Sequence, residues 1–198
     1  MKEPLDGNAV VYCQGAFETT NGKTAHGLVR FTNRYGILAV IDSTCAGRDA
    51  GEIMDGAPSG GEPRYFVMGL APEGGRLSPE ARRDVKEALS RGLNVDCGLH
   101  DFLSEDPEMA AIAEKTGATI RDVRKPPSRD KLHFFSGKIE DVDSFRIAVL
   151  GTDSAVGKRT TGWLLVKSFR EAGFAAEMIG TGQTAWLQGA RYGVIMDS

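Results

Sequence analysis

Eleven consecutive residues, Gly151, Thr152, Asp153, Ser154, Ala155, Val156, Gly157, Lys158, Arg159, Thr160 and Thr161, have the types and spacing of a loop that grips phosphate. Glycines let successive backbone N–H groups converge on one anion. A helix N-terminus adds partial positive charge, and Lys158 brings an ammonium that reaches outer phosphates. The preceding run, residues 145–150 (FRIAVL), is short and apolar, as a strand buried on both faces should be. Trp163, Leu164, Leu165, Val166 and Phe169 follow a helical pattern that stops at Gly173. Strand, glycine loop, lysine and helix in that order give the match its weight. Two departures matter. The first glycine lies one position early, and Arg159 stands where a hydroxyl residue normally holds Mg²⁺. Each added residue turns about 100° around a helix. Thr160 is left as the candidate Mg²⁺ ligand without inheriting the geometry. A guanidinium at 159 already contributes positive charge, which reduces the need for a metal.

A second group of chemical residues lies upstream. His100, next to Asp101, follows a short strand-like run, and a histidine oriented by a carboxylate is suited to proton transfer near neutral pH. Cys97 and His100 have a spacing compatible with two metal ligands, but no second pair accompanies them. The three cysteines, Cys13, Cys45 and Cys97, cannot all pair and form no C-x-x-C, so reduced thiols that pack as small hydrophobes are expected. Asp42 stands at a strand tip where a ribose-binding acid would, yet the long connection after the first strand lacks G-x-G-x-x-G. His26 and His133 have no carboxylate neighbours and read as structural or exposed.

The elements that must position these groups alternate. Residues 9–13, 37–42, 65–70, 93–97 and 118–123 read as strands, and residues 23–32, 79–91 and 107–117 as helices, the second opened by Ser78 and Pro79 and closed by Gly92. Such alternation means a parallel α/β sheet with right-handed crossovers, and the three cysteines, Asp42 and His100 then share its carboxyl edge. The composition, 41 % hydrophobic and 26 % charged, is that of an ordinary globular chain. A net charge of −3 argues against non-specific nucleic-acid binding, which needs a basic face. The chain offers no apolar run of membrane-spanning length and no signal-peptide core, so a cytoplasmic location and a small-molecule substrate are expected.

The charged, doubly prolyl stretch 125–131 (KPPSRDK) marks a linker between a Rossmann-like unit, residues 1–124, and the start of a P-loop unit, residues 132–198. After the P-loop helix only residues 175–179 read as a further strand, so the second unit reads as truncated and inactive alone. Its helix would then keep an apolar face uncovered, which favours homo-oligomers.

Ordered motifs along the whole chain carry a family resemblance. They include residues 12–17 around Gly15 and Phe17, Gly22 to Ala25, Ala46 to Gly51, Gly98 to Leu103, Asp122 to Pro127, the loop from Gly151 to Thr161, and Thr181 to Thr184. Together they resemble the D-glutamate N-acetyltransferase-like family, long described only as a domain of unknown function, which joins a Rossmann-like domain to a P-loop domain. The loop alone is similar to that of dethiobiotin synthetase, except at Arg159. The resemblance implies an acyltransferase that holds acetyl-CoA through the loop. An ATP-dependent ligase or kinase-like enzyme using Mg²⁺, or a non-catalytic nucleotide-binding protein, stays open beside it. Acetyl transfer would need a base, for which His100 with Asp101 is the candidate. It would also need oxyanion donors, for which Gln183 and the backbone from Thr181 to Thr184 are candidates.

Overall fold

The computed structural model describes residues 6–49, 61–153 and 156–195. Much of the glycine-rich connection expected between residues 46 and 63, and loop residues Ser154 and Ala155, lie outside the described residues.

The first unit is built on five parallel strands: β1 (Gly7–Tyr12), β2 (Tyr35–Ile41), β3 (Tyr65–Met68), β4 (Asn94–Cys97) and β5 (Ile120–Asp122), in the order β2-β1-β3-β4-β5. Helix α1 (Lys23–Phe31) connects β1 to β2. Helices α2 (Pro79–Ser90) and α3 (Pro107–Thr116) follow β3 and β4. The order reverses direction at β1, the arrangement in which loops after β1 and β3 part to leave a ligand crevice. The expected α/β grammar is present at each of these elements.

Alternation along the strands sorts side chains into two cores. Tyr12, Phe66, Met68 and Val95 pack with Val85 and Leu89 of α2 and Met109 of α3 on one face. Ala9, Val11, Cys13 and Val67 pack with Ala25 and Leu28 of α1 on the other. The helix starts match their sequence signals: Ser78 Oγ accepts from Ala81 N at 3.1 Å, and Asp106 Oδ1 accepts from Glu108 N at 3.0 Å and Met109 N at 3.1 Å. Gly117 ends α3 in the left-handed region at φ 73°.

The second unit holds α4 (Lys158–Glu171), β6 (Ile179–Gly180), α5 (Gln183–Leu187) and β7 (Tyr192–Gly193), with β6 and β7 paired in parallel. Here two sequence expectations are corrected. Residues 145–150 pair with no strand among the described residues, and Phe145 and Leu150 are 91 % and 86 % exposed. Of the strand expected at 175–179 only Ile179 enters a ladder. An apolar run signals readiness to pair, but a strand exists only where a neighbour supplies the complementary N–H and C=O groups. The helix α5, which the sequence reading missed, docks on the first unit: Leu187 is fully buried in the α1 core. Gln188 donates to Gly27 O at 2.7 Å and accepts from Trp163 Nε1 at 3.1 Å, tying α1, α4 and the end of α5 together. Arg34 adds a second tie, its guanidinium 3.8 Å from the Trp186 ring centroid and its Nε donating to Trp186 O at 2.9 Å.

Candidate functional site

Two adjoining spaces open where the carboxyl edge of the five-stranded sheet meets α4 and α5. The larger is an open cleft of about 1520 Å³ between α4, residues 145–150 and residues 175–182. The smaller is a cavity of about 280 Å³ at the ends of β3 and β4. Lys23, Arg124 and Gln183 line both.

The phosphate-loop residues form one wall of the cleft. Gly157 precedes α4 at φ 92°, a conformation glycine adopts without strain, and no side chain caps the helix. Its first-turn N–H groups therefore face outward as potential anion donors. A Cβ built on Gly151 would lie 2.8 Å from Val156 Cγ2 and 2.9 Å from Lys158 Cδ, so Gly151 is what lets the lysine stem cross the loop. The Lys158 ammonium donates to the Asp153 carbonyl. Thr152 is exposed. Thr160 is half-buried in the cleft wall, and Thr161 is exposed with its N–H donating to Gly157 O at 2.9 Å. Arg159 does not fold over the loop. Its Nη2 reaches Lys23 O of α1 at 3.4 Å, its buried Nε has no hydrogen-bond partner, and burial lowers its pKa.

The cleft is strongly cationic although the chain carries net charge −3. Lys23, Arg30, Arg124, Arg146, Lys158 and Arg159 face it. Among its described lining residues the sole acid is Glu177, which Arg170 bridges at 2.9 Å. The unpartnered Arg159 Nε, the glycine-enabled loop and this surplus of cations fit a polyphosphate-bearing cofactor such as CoA or ATP. No group of three or more His, Cys, Asp or Glu side chains that could hold a metal ion occurs among the described residues.

His100 lies on the smaller cavity. Its backbone N–H donates to Gly75 O at 2.8 Å, and the imidazole packs so closely over Gly75, itself at φ 61°, that any Cβ there would strike the ring. Asp101 does not orient it. That carboxylate accepts from Leu77 N at 2.7 Å and lies 3.7 Å from Arg76 Nη1, so it shapes the turn after β3 instead of completing a His–Asp pair. Gln183 does reach the cavity: a Cβ on Gly98 would lie 2.6 Å from its Cγ, so Gly98 makes room for it at the end of β4. His100 and Gln183 thus line the same cavity, which shares Lys23, Arg124 and Gln183 with the cleft holding Lys158.

Asp42, considered for ribose, is 6 % exposed and occupied otherwise. Its carboxylate accepts from Gly15 N at 3.0 Å, Ala16 N at 3.0 Å, Phe17 N at 2.8 Å, Thr44 N at 2.9 Å and Thr44 Oγ1 at 2.7 Å. Burial resists its charge, but the bonds from Thr44, Phe17 and Gly15 outweigh that and hold its pKa at about 2. The acid folds the loop after β1. The cysteines are free and buried, and burial pushes Cys13 and Cys97 up to about 12, so they behave as packing groups. His26 is structural, its Nε2 hydrogen-bonded to Phe17 O. Lys23 and Arg124 had not been singled out as site residues. Their signal was position, one opening α1 beside β1 and the other closing β5, both at the carboxyl edge.

Residues 39–126 match a Rossmann-like domain described as a domain of unknown function (DUF1611_N), and residues 133–198 match the P-loop domain of the same family (DUF1611_C). The chain belongs to the DUF1611 family. A crystal structure of a DUF1611 family protein from Anabaena variabilis superposes with a TM-score of 0.82 at 31 % identity, covering 94 % of this chain and 56 % of that one. A D-glutamate N-acetyltransferase of Tritonibacter scottomollicae is 35 % identical over 128 residues, which is 63 % of this chain and 36 % of the relative. One from a Pseudoalteromonas species is 32 % identical over 120 residues, 61 % of this chain and 35 % of the relative. The matched part of this DUF1611 chain thus spans about a third of the length of those curated relatives. No helix among its described residues is long and apolar enough to cross a membrane.

Proposed function

We propose that this DUF1611 chain serves N-acetylation of an amino acid, D-glutamate by the relatives' names, with acetyl-CoA as acyl donor. The observation that carries the reading is the pair of adjoining spaces: a cationic cleft beside the phosphate loop, and a cavity too small for a nucleotide that shares Lys23, Arg124 and Gln183 with it. A two-substrate transfer needs such adjoining compartments. CoA, when bound, supplies an activated acetyl thioester. The chain's own contribution is positional and electrostatic. First-turn N–H groups of α4 and Lys158 hold the cofactor's phosphates without calling on a metal, and Arg159, turned toward Lys23 O of α1, adds positive charge to the cleft wall. His100, fixed above Gly75, takes the proton from the substrate amine, and the Gln183 side-chain amide donates toward the acyl oxygen.

The test is turnover: free thiol released from acetyl-CoA with D-glutamate, and N-acetyl-D-glutamate identified by mass spectrometry. Thiol release dependent on D-glutamate, lost in Lys158→Ala, supports the reading. ATP hydrolysis or phosphoryl transfer that requires Mg²⁺, without thiol release, supports the alternative of an ATP-dependent P-loop enzyme. The position of Thr160 in the cleft wall favours that second reading.

A further inference from the structure

We infer that the connection at residues 32–34, between α1 and β2, is a remote positioning element for the site: it grips the carboxyl end of α5 and so aims Gln183 into both spaces. A helix of five residues does not hold its shape alone, and its last carbonyls have no partners inside it. The connection supplies those partners one by one. Trp186 O accepts from Arg34 Nε at 2.9 Å, Leu187 O from Thr32 Oγ1 at 3.2 Å, and Gln188 O from Asn33 N at 2.9 Å. Gly189, at φ 99°, then passes so close that a Cβ on it would lie 3.1 Å from Arg34 N.

The grip is itself braced. The Arg34 guanidinium lies 3.8 Å from the Trp186 ring centroid and that of Arg121 5.1 Å from it. The Asp6 carboxylate bridges the two, at 3.4 Å from Arg34 Nη1 and 2.7 Å from Arg121 Nη2. Asp96, fully buried on β4, accepts from Arg121 Nε at 2.6 Å, which fixes that guanidinium to the sheet. A cation at the carboxyl end also suits the helix dipole. Gln188, bonded to Gly27 O and Trp163 Nε1, holds the same end. The amino end of α5 is held more lightly. Gly182 precedes it without a side-chain cap, and Thr184 Oγ1 is 3.4 Å from Thr24 Oγ1, a long hydrogen bond. Gln183 sits at that end with its Cγ against Gly98, roughly one turn from the gripped carbonyls. Its aim therefore follows from where residues 32–34 set the far end. The importance of that aim for turnover rests on the acyl-transfer reading; the placement of Gln183 does not.

The test compares Arg34→Met, Arg34→Lys and Thr32→Val with the parent. One readout is the side-chain ¹⁵N–¹H signals of Gln183, assigned by their absence from Gln183→Ala; the other is D-glutamate-dependent thiol release from acetyl-CoA. Arg34→Met keeps the stem but neither donor nor charge. It should shift the Gln183 signals and lower kcat at least about tenfold with the KM for acetyl-CoA retained, since a misplacement of about 1 Å costs up to about a hundredfold. Arg34→Lys keeps a cation beside Trp186 and should recover most of that loss. On a Gln183→Ala background Arg34→Met should cost less than about twofold more, because residues that act through one group are not additive. Thr32→Val removes a single hydroxyl donor, so it reports in the same direction if Arg34→Met does not fold. Unmoved Gln183 signals in folded Arg34→Met or Thr32→Val, or the full tenfold loss on the Gln183→Ala background, overturn the inference. Shifted Gln183 signals in a protein that releases no thiol sustain the positioning and remove the acyl-transfer reading. Thiol release unaltered in the variants, with Gln183 unmoved, does the reverse.

Discussion

Replacing Gln188 with Met should loosen the junction on which both spaces depend. Gln188 is 1 % exposed, and its amide is shared, donating to Gly27 O at 2.7 Å and accepting from Trp163 Nε1 at 3.1 Å. Methionine fills the volume but offers neither group. Trp163 is 7 % exposed, so its indole N–H would be left dry, at about 1–3 kcal/mol, and losing the bond to Gly27 removes about 0.5–1.5 kcal/mol more. The Gly27 carbonyl still has its helical role, which limits the second loss. The expected destabilisation is therefore about 2–4 kcal/mol. With a urea m-value of about 1–3 kcal/mol/M, the midpoint should fall by about 1–2 M. Urea unfolding followed by tryptophan emission reads this directly, because Trp163 and Trp186, the two tryptophans of the chain, both sit at this junction. A midpoint within about 0.3 M of the unsubstituted protein, on the same m-value scale, would refute the reasoning.

Asp42 should make the chain acid-sensitive. Its folded pKa of about 2 lies below the unfolded value of about 3.9, so its stabilisation, about 2 kcal/mol, is complete above that unfolded value and lost as pH falls through about 2. Asp42→Asn should be destabilised at pH 7 and converge on the parent between pH 4 and 2 in urea melts; a pH-independent difference would contradict this. Gly75→Ala should cost about 1–2 kcal/mol for its left-handed backbone and drive the His100 ring aside, lowering turnover with acetyl-CoA affinity retained; unchanged turnover would remove His100 from the chemistry. Cys13 and Cys97 should resist iodoacetamide at pH 8 until the protein unfolds, and rapid labelling of the folded chain would contradict their burial.

The first unit was legible because its signals were local and mutually consistent. Val10 and Tyr12 alternate against Ala9 and Val11, Ser78 caps and Pro79 opens a helix, and each strand finds its neighbour within the same unit. Residues 145–150 carry an equally good apolar run, but pairing is a property of two segments, and none of the described residues supplies the second. The helix α5 is five residues long, too short for periodicity to declare it. Only the buried spacing of Thr184, Leu187 and Gln188 betrays it, and that spacing acquires meaning once α1 lies opposite. The site was half legible. Gly151, Gly157 and Lys158 announce a phosphate loop through residue type. Arg159 could be placed near it but not aimed, because its direction is set by Lys23 O on a helix more than a hundred residues away. Asp101 and Asp42 misled for one reason: a carboxylate beside a candidate site also serves backbone N–H groups, and loop geometry decides which it does.

The central claim, that the cleft beside the loop holds acetyl-CoA by its phosphates without a metal, is tested most directly by calorimetric titration of acetyl-CoA and ATP, each in EDTA and in Mg²⁺. The account predicts acetyl-CoA binding of equal affinity in both buffers, weakened about tenfold or more by Lys158→Ala. Binding of ATP alone, and only with Mg²⁺, would contradict it.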